Sequence, residues 1–405
     1  MKINSYTKTK KQMSIHDPIH DAISITPLMK QIIDTPEFQR LRELKQLGAT
    51  YFVFPSATHT RFEHSLGVSH LAGELIHILK RNQPRLQITE RLIEITRIAG
   101  LIHDIGHGPF SHLYDDHIRF KNEGDHEVRG CKIFHEMVKK YQLTLSEEEV
   151  EQICLMVNPT KDIENIWSYQ IVANKMCQID VDKLDYIRRD CYHLGLNISE
   201  TFSRIINNVR VIKTPDGDEV LGWPKKIEFN IFNLFATRYR LHKQVYNHHA
   251  TKSYEFIIVE ILKKIKNRMS DAWKLTDAAV MCPLHPEFSE YYAKIQTRNV
   301  AKLVGELVVK LPHALYQPEE PNPRQVLSYI IQVVKIGFAN GAINPLNQVY
   351  YYTKDSPDVG IHQPPQDSSF CIPNQHQELI VRMFTESGAG EAKKAWIKLK
   401  EKWMV

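Results

Sequence analysis

Ala99-Gly100-Leu101-Ile102-His103-Asp104-Ile105-Gly106-His107-Gly108-Pro109-Phe110-Ser111-His112 is the stretch whose reading decides the fold. Leu92, Ile95, Ile98, Ala99, Ile102 and Ile105 recur at three and four residues, the spacing of a helix with one buried face. That helix is expected to end near Ile105, with His103 and Asp104 side by side at its end, where an imidazole and a carboxylate reach one cation together. Gly106, Gly108 and Pro109 are expected to stop the helix and supply a sharp turn that returns His107 and His112 to the same place. An isolated His-Asp pair is usually a helix cap or a satisfied core pair. Three histidines and an aspartate packed about two helix-breaking glycines reverse that reading.

Outward from this stretch, helical periodicity runs from about residue 66 to 310, so the chain reads as mainly α. Ser146 and Glu149 form a capping box for a helix over Glu147–Met156. One β-hairpin interrupts the pattern, with Val209–Ile212 and Glu219–Trp223 flanking the turn Pro215-Asp216-Gly217-Asp218, and it reads as decoration on a helical body. Pro312, Pro318, Pro321 and Pro323 mark a boundary. Beyond it, Tyr350–Tyr352 reads as a strand, Asp355–Asn374 as a loop, and Gln377–Val405 as two helices divided by Ser387-Gly388-Ala389-Gly390.

The 405 residues are 42% hydrophobic and 24% charged, the balance of an ordinary globular protein. No apolar run approaches the roughly 18 residues of a membrane span. The N-terminal Lys2, Lys8, Lys10 and Lys11 precede no signal-peptide segment, so an intracellular protein of the cytosol or nucleus is expected, with no membrane partner. Cys131, Cys154, Cys177, Cys191, Cys282 and Cys371 contain no Cys-x-x-Cys pair, which argues against a disulfide framework or a thiolate zinc site. A net charge of +5 suits a polyanionic ligand, and 20 histidines point to metal or proton chemistry.

A mixed imidazole and carboxylate site draws its ligands from separate helices. His64 opens a helix in Arg61-Phe62-Glu63-His64-Ser65-Leu66-Gly67, with Arg61 three residues earlier on the same face. Asp182, Tyr186 and Asp190 form a polar stripe flanked by Val181, Leu184 and Ile187, as on a buried helix whose polar groups need partners. A further stripe, Arg238, His242, Tyr246 and His249, recurs at four, four and three.

A His, a His-Asp pair and a distant Asp, in that order, characterise the HD superfamily of phosphohydrolases. Asp17-Pro18-Ile19-His20, Asp34-Thr35-Pro36-Glu37-Phe38-Gln39-Arg40-Leu41-Arg42, Phe54-Pro55, Arg61 to Val68, the His103 stretch and Asp180-Val181-Asp182-Lys183 carry the likeness further. On these the chain resembles the HD-domain deoxynucleoside triphosphate triphosphohydrolases, close to the vertebrate form with a sterile-alpha-motif domain, a domain not expected here. The similarity runs from about residue 13 to the end and is patchy beyond 310.

The resemblance implies an HD-domain helical fold with a small β-hairpin: a basic tail over 1–12, a catalytic domain over 13–310, and a small α+β regulatory and oligomerisation lobe over 311–405. It implies metal ligands at His64, His103, Asp104 and Asp182, taking iron, zinc or manganese together with Mg2+. Hydroxide attack at the α-phosphorus of a dNTP would release the deoxynucleoside and leave inorganic triphosphate. His112 is the expected proton donor to the leaving oxygen, with Asp115 one turn on to raise its pKa and orient its ring. His107 and His126 resemble the remaining pocket histidines, which hold phosphates or a second cation. Arg61, Lys183 and Arg238, with Tyr186, match the phosphate-binding set. Gln46 and Asp190 match the groups on the 3′ hydroxyl, Leu47 and Tyr246 those that crowd the 2′ position, and Asn247 replaces a base-facing glutamine.

The same likeness implies activation by GTP and dNTPs, which assemble dimers or monomers into a homotetramer. Asp34, Gln39, Arg42, Arg298 and Lys302 match guanine or phosphate contacts, and Val53, Arg204, Lys226, His248 and Lys354 lie near the second nucleotide. Met13, His16, Ala22, Asn208 and His249 depart from the family at neighbouring positions. The biological roles implied are dNTP pool control and antiviral defence. Two other readings compete: an HD-type metal phosphodiesterase or nuclease, and a nucleic-acid-binding protein without catalysis, suggested by Lys263-Lys264 and Lys393-Lys394. Weak single-stranded nucleic-acid binding is a further partner expectation.

Overall fold

The computed structural model describes residues 13–120, 123–197, 202–269, 271–282, 286–309, 324–326, 329–339, 343–363, 375–387 and 389–403. The fold is mainly α, as expected, and its helix starts are written in local sequence. Thr89 caps Glu90–Ile102 by accepting the Leu92 N–H at 3.1 Å, and Asp180 caps Val181–His193 by accepting that of Lys183 at 3.0 Å. Glu63 accepts the Thr60 N–H at 2.7 Å where Arg61–Asn82 begins. The capping box of Ser146 and Glu149 opens Glu147–Val157 as read from sequence. Leu66, Val68, Ile98, Ile102, Leu184 and Ile187 join these helices in one core. It holds the first turns of Arg61–Asn82 and Val181–His193 against the end of Glu90–Ile102, which places His64, Asp182 and His103 together.

That convergence needs a close crossing. A Cβ on Gly100 would lie 3.1 Å from backbone atoms of Val68 and Ser69, so glycine lets the two helices approach backbone to backbone.

The expected end of the His103 helix is corrected. It stops at Ile102, His103 is its C-cap, and Ile105 is buried in the following turn, where its N–H meets the Ile102 carbonyl at 3.0 Å. The left-handed turn falls on Phe110 and Ser111, both at φ 58°, and not on the glycines. A side chain strains that conformation, and the Phe110 N–H is pinned there by Asp277 Oδ1 at 2.7 Å. Gly106 serves close packing instead: its Cβ would lie 2.0 Å from the His126 carbonyl oxygen and 2.4 Å from the Gly130 nitrogen.

Strands change the picture more. The expected hairpin exists as Arg210–Lys213 and Glu219–Pro224, but it does not merely decorate the helical body. Trp223 and Pro224 pair in parallel with Tyr351 and Tyr352 of the expected strand Tyr350–Tyr352, which pairs in turn with Ile361–His362. Phe338, Leu346, Val349 and Tyr351 accordingly sit in the main core. A second hairpin, Met13–Asp17 with Asp21–Ile25, was not read from sequence, because its connection Pro18-Ile19-His20 carries no Asn-Gly or Asp-Gly turn signal of the kind that marked Pro215-Asp216-Gly217-Asp218.

Gln377–Thr385 is a strand and not a helix; the helix after it is Ala389–Trp403. Its neighbours in a four-stranded antiparallel sheet are Lys302–Val309 and Tyr329–Gly337, the latter also pairing with Arg324–Val326. A central strand covered on both faces carries a continuous apolar run, here Leu379-Ile380-Val381, which periodicity alone does not separate from a helix. Pro312, Pro318, Pro321 and Pro323, the tail over 1–12 and Cys371 lie outside the described residues. The five described cysteines are free, and no described helix is long and apolar enough to cross a membrane.

Gly100→Val is expected to push the two helices apart. Both the thermal midpoint and the metal retained after dialysis should fall, the first by several degrees for a loss of about 2 kcal/mol from overpacking.

Candidate metal centre

Two rings and a carboxylate converge where the helices meet. His64 Nε2 lies 3.2 Å from His103 Nε2 and 3.1 Å from Asp182 Oδ1, and His103 Nε2 lies 3.6 Å from the same oxygen. The other ring nitrogens are committed: His64 Nδ1 donates to Asp185 Oδ2 at 2.7 Å, and His103 Nδ1 donates to the Gly100 carbonyl at 2.8 Å. In neutral imidazoles both Nε2 atoms are therefore lone pairs, aimed at each other and at a carboxylate. Three acceptors facing inward are satisfied only by a cation or a proton. Ligands about 2.1 Å from one ion stand about 3.0–3.4 Å apart in octahedral and tetrahedral shells, close to the spacing found here.

Without an ion, protons take that role. Burial opposes charge on His64, but Asp182 and Asp185 outweigh it and push its pKa up to about 10. Burial likewise acts against Asp182 ionisation, yet His103 and His64 hold its carboxyl far below the usual range. Loading a metal displaces these protons.

Asp104 stands beside this trio and turns to a second cluster. Its Oδ1 lies 3.4 Å from His103 Nε2 and 3.2 Å from His107 Nε2, and its other oxygen accepts from Arg61. Asp104, His107 and His126 bring their ligand atoms within 4.8 Å of one another. The His107 and His126 rings stack at 3.8 Å, with His112 edge-on at 5.1 and 5.5 Å. The expected pairing of Asp115 with His112 is corrected here. Asp115 Oδ2 meets His126 Nδ1 at 3.0 Å and its other oxygen accepts from Arg129. The His112 pKa is lowered to about 4 by burial, Arg61 and His126, which outweigh the opposing charges of Asp104 and Asp115.

Basic groups flank the trio. Arg61 Nε donates to Ser111 Oγ at 2.7 Å, Lys183 Nζ to Asp180 at 2.8 Å, and Arg238 Nε to the Tyr186 hydroxyl at 3.1 Å. The Tyr186 ring lies 6.4 Å from that of His64. Farther along its helix, Asp190 Oδ1 meets His59 Nε2 at 2.7 Å while Oδ2 accepts from Tyr246. Gln46 carries a buried Oε1 without a hydrogen-bond partner, and Leu47 packs against the main core. The Asn247 amide donates to the His242 carbonyl at 3.0 Å.

The stripe Arg238, His242, Tyr246 and His249 is only partly continuous. Glu228–Leu241 passes into a π-helical turn at His242–Tyr246, and a new helix begins at His249, whose ring stacks on His248 at 4.5 Å.

The residues matched to activator sites are carried by separate elements. Asp34 pairs with Lys30, Gln39 bonds the Ile33 carbonyl and Arg42, and Arg42 covers the Phe62 ring at 3.5 Å. Arg298 has φ 59° just after Ser289–Gln296, and Lys302 opens its strand opposite Thr385. Val53 ends a short turn near His248, whose ring meets Phe54 at 5.4 Å. Arg204 lies in Ser203–Asn207, Lys226 in Lys225–Ile227, and Lys354 just past Tyr350–Tyr352.

Sequence reasoning missed Asp185, which receives His64, His20 and Arg189, and also His59 and Asp277. The i,i+4 spacing of Asp185 and Arg189 was the one legible signal among them.

Helices meeting on a His, a His-Asp pair and a distant Asp define a class, and the HD domain family matches residues 61–190. Over 94% of this chain it is 35% identical to the deoxynucleoside triphosphate triphosphohydrolase SAMHD1 of Gallus gallus, covering 73% of that protein. Identity is 34% to the SAMHD1 homolog of Dictyostelium discoideum, with 94% of this chain and 79% of that one covered. For the Homo sapiens protein it is 33%, with 91% and 70% covered. The chain belongs to the SAMHD1 family of deoxynucleoside triphosphate triphosphohydrolases.

Asp185→Asn weakens the acceptor that orients His64 and is expected to lower Mn2+ affinity by about ten- to hundredfold in titration calorimetry. Unchanged affinity in a folded variant would contradict this role.

Proposed function

We propose that the chain hydrolyses deoxynucleoside triphosphates to deoxynucleoside and inorganic triphosphate, with a divalent cation held by His64, His103, Asp104 and Asp182. The convergence of His64 Nε2, His103 Nε2 and Asp182 Oδ1 beside Arg61, Lys183 and Arg238 carries this reading. The mixed donor set suits iron, zinc or manganese, with Mg2+ accompanying the phosphates. When bound, the metal supplies Lewis acidity at a phosphate oxygen.

The chain's own groups do the rest. Arg61, Lys183 and Arg238, with Tyr186, neutralise and orient the triphosphate. Asp190 accepts the proton of the sugar 3′ hydroxyl while the Gln46 side-chain amide donates to its oxygen, and Leu47 with Tyr246 leaves no room for a 2′ hydroxyl. His112 protonates the leaving 5′ oxygen; the negative triphosphate offsets the Arg61 charge that otherwise depresses His112. His107 and His126 stand against the phosphates, with Asp115 orienting His126.

The activator reading is part of the same proposal. GTP and dNTPs bind at Asp34, Gln39, Arg42, Arg298 and Lys302 and around Val53, Arg204, Lys226, His248 and Lys354, joining subunits into a tetramer. Their spread over separate elements suits half-sites completed by another subunit. The segment 311–405 serves regulation and assembly, and the reaction lowers intracellular dNTP pools, which also restrains viral DNA synthesis.

Ion-exchange separation of the products from dGTP with Mn2+ or Mg2+ tests the reaction. The expected products are deoxyguanosine and intact triphosphate, abolished in Asp182→Ala. Monophosphate plus pyrophosphate, or turnover confined to cyclic nucleotides or single-stranded nucleic acid, moves the assignment to an HD phosphodiesterase or nuclease. Cleavage of dATP should rise when GTP is added, together with a shift to tetramer in light scattering. Tetramers formed without nucleotide, with rates indifferent to GTP, remove the activator reading.

A further inference from the structure

His59 touches both groups assigned above to the sugar. Its ring is buried, and Nε2 meets Asp190 Oδ1 at 2.7 Å, while its backbone carbonyl accepts the Gln46 N–H at 2.9 Å. The ring stacks face to face on His193 at 4.4 Å and 9°, which fixes its plane. Its carboxylate partner is held from the other side as well, because Asp190 Oδ2 accepts from the Tyr246 hydroxyl. A carboxylate on a helix turns freely about its last torsion unless donors fix both oxygens. His59 and Tyr246 do this from two different segments of the chain. His59 Nδ1 and Gln46 Oε1, on residues joined by that backbone hydrogen bond, are both buried and without a hydrogen-bond partner. Buried polar atoms in that state mark a place that a donor completes.

We propose that His59 is a positioning residue: it fixes the plane of the Asp190 carboxylate and the backbone of Gln46, and so sets discrimination for a sugar 3′ hydroxyl. This rests on the reading of Asp190 and Gln46 as the groups that receive that hydroxyl. His59 itself need not touch substrate. A hydroxyl hydrogen bond to a fixed carboxylate is directional, so loosening the carboxylate costs only substrates that carry the hydroxyl.

The test compares dGTP with 2′,3′-dideoxy-GTP, which lacks the hydroxyl, in steady-state kinetics with Mn2+ on the full chain. In His59→Ala, kcat/KM for dGTP should fall about tenfold or more, mostly through KM, while that for the dideoxy substrate changes by less than about twofold. His59→Gln, which places an amide N–H near the position of Nε2, should recover most of the lost discrimination. On an Asp190→Ala background, His59→Ala should add little further loss. Equal losses on both substrates, or full additivity with Asp190→Ala, would show that the ring serves only the fold and overturn the role. Wild-type protein that releases no triphosphate from dGTP, or that treats the two substrates alike, removes the underlying site reading and this role with it. Wild-type discrimination that survives intact in His59→Ala removes the role alone.

Discussion

The carboxylate of Asp185 is fully buried, and the site is built around satisfying it. It receives His64 Nδ1 at 2.7 Å, His20 Nε2 at 2.6 Å and Arg189 Nε at 2.9 Å, and the same arginine holds Asp17 at 2.8 Å. An isolated carboxylate in such a place would cost several kcal/mol, and burial does work against its charge. Arg189, His20 and His64 overcome that cost and hold its pKa well below the ordinary range. One anion thereby binds the N-terminal hairpin, the His64 helix and its own helix into a single frame. Any looseness in that frame would reach the metal through the orientation of His64. The frame leaves little slack: a Cβ on Gly67 would lie 2.0 Å from Asp185 Oδ1.

Much of the site's geometry was legible because it is local. His103 with Asp104, the opening of the His64 helix and the Asp182 stripe announce themselves through spacing, and the fold brings them together. The helix caps are equally local, which is why Glu147–Val157 was placed to within a residue. What escaped depends on partners remote in sequence. Asp115 was assigned to His112 by its three-residue separation, yet its ligands are His126 and Arg129, eleven and fourteen residues on. His59 finds Asp190 across 131 residues, and Asp277 reaches Phe110 across 167. Gln377–Thr385 was misread for a related reason. A strand shielded on both faces loses the alternation that distinguishes it from a helix.

The arginine beside Tyr186 is also a structural joint. Arg238 Nη1 donates to the Gly337 carbonyl at 2.9 Å, at the end of a strand of the C-terminal sheet, while its Nε reaches Tyr186. The sheet is thus in hydrogen-bonded contact with a side chain one residue away from the metal trio. Nearby, Lys243 pairs with Glu378 at 2.5 Å, and Arg382 reaches the Asn247 carbonyl. A change in the position of this sheet therefore bears on Arg238 and, through it, on Tyr186 beside His64.

The parallel pairing of Trp223 and Pro224 with Tyr351 and Tyr352 has a consequence for the order in which the molecule forms. Parallel strands so far apart in the chain close late, since the loop-closure entropy is lost before the contact rewards it. Tyr351 is a buried member of the main core, so that core is incomplete until residues beyond 350 have arrived. During synthesis the helices bearing His64, His103 and Asp182 would therefore wait, with Trp223 lacking its strand partner, for a segment made more than a hundred residues later. A chain that folds in this order carries exposed apolar surface for as long as that strand is undocked, the condition from which aggregation starts.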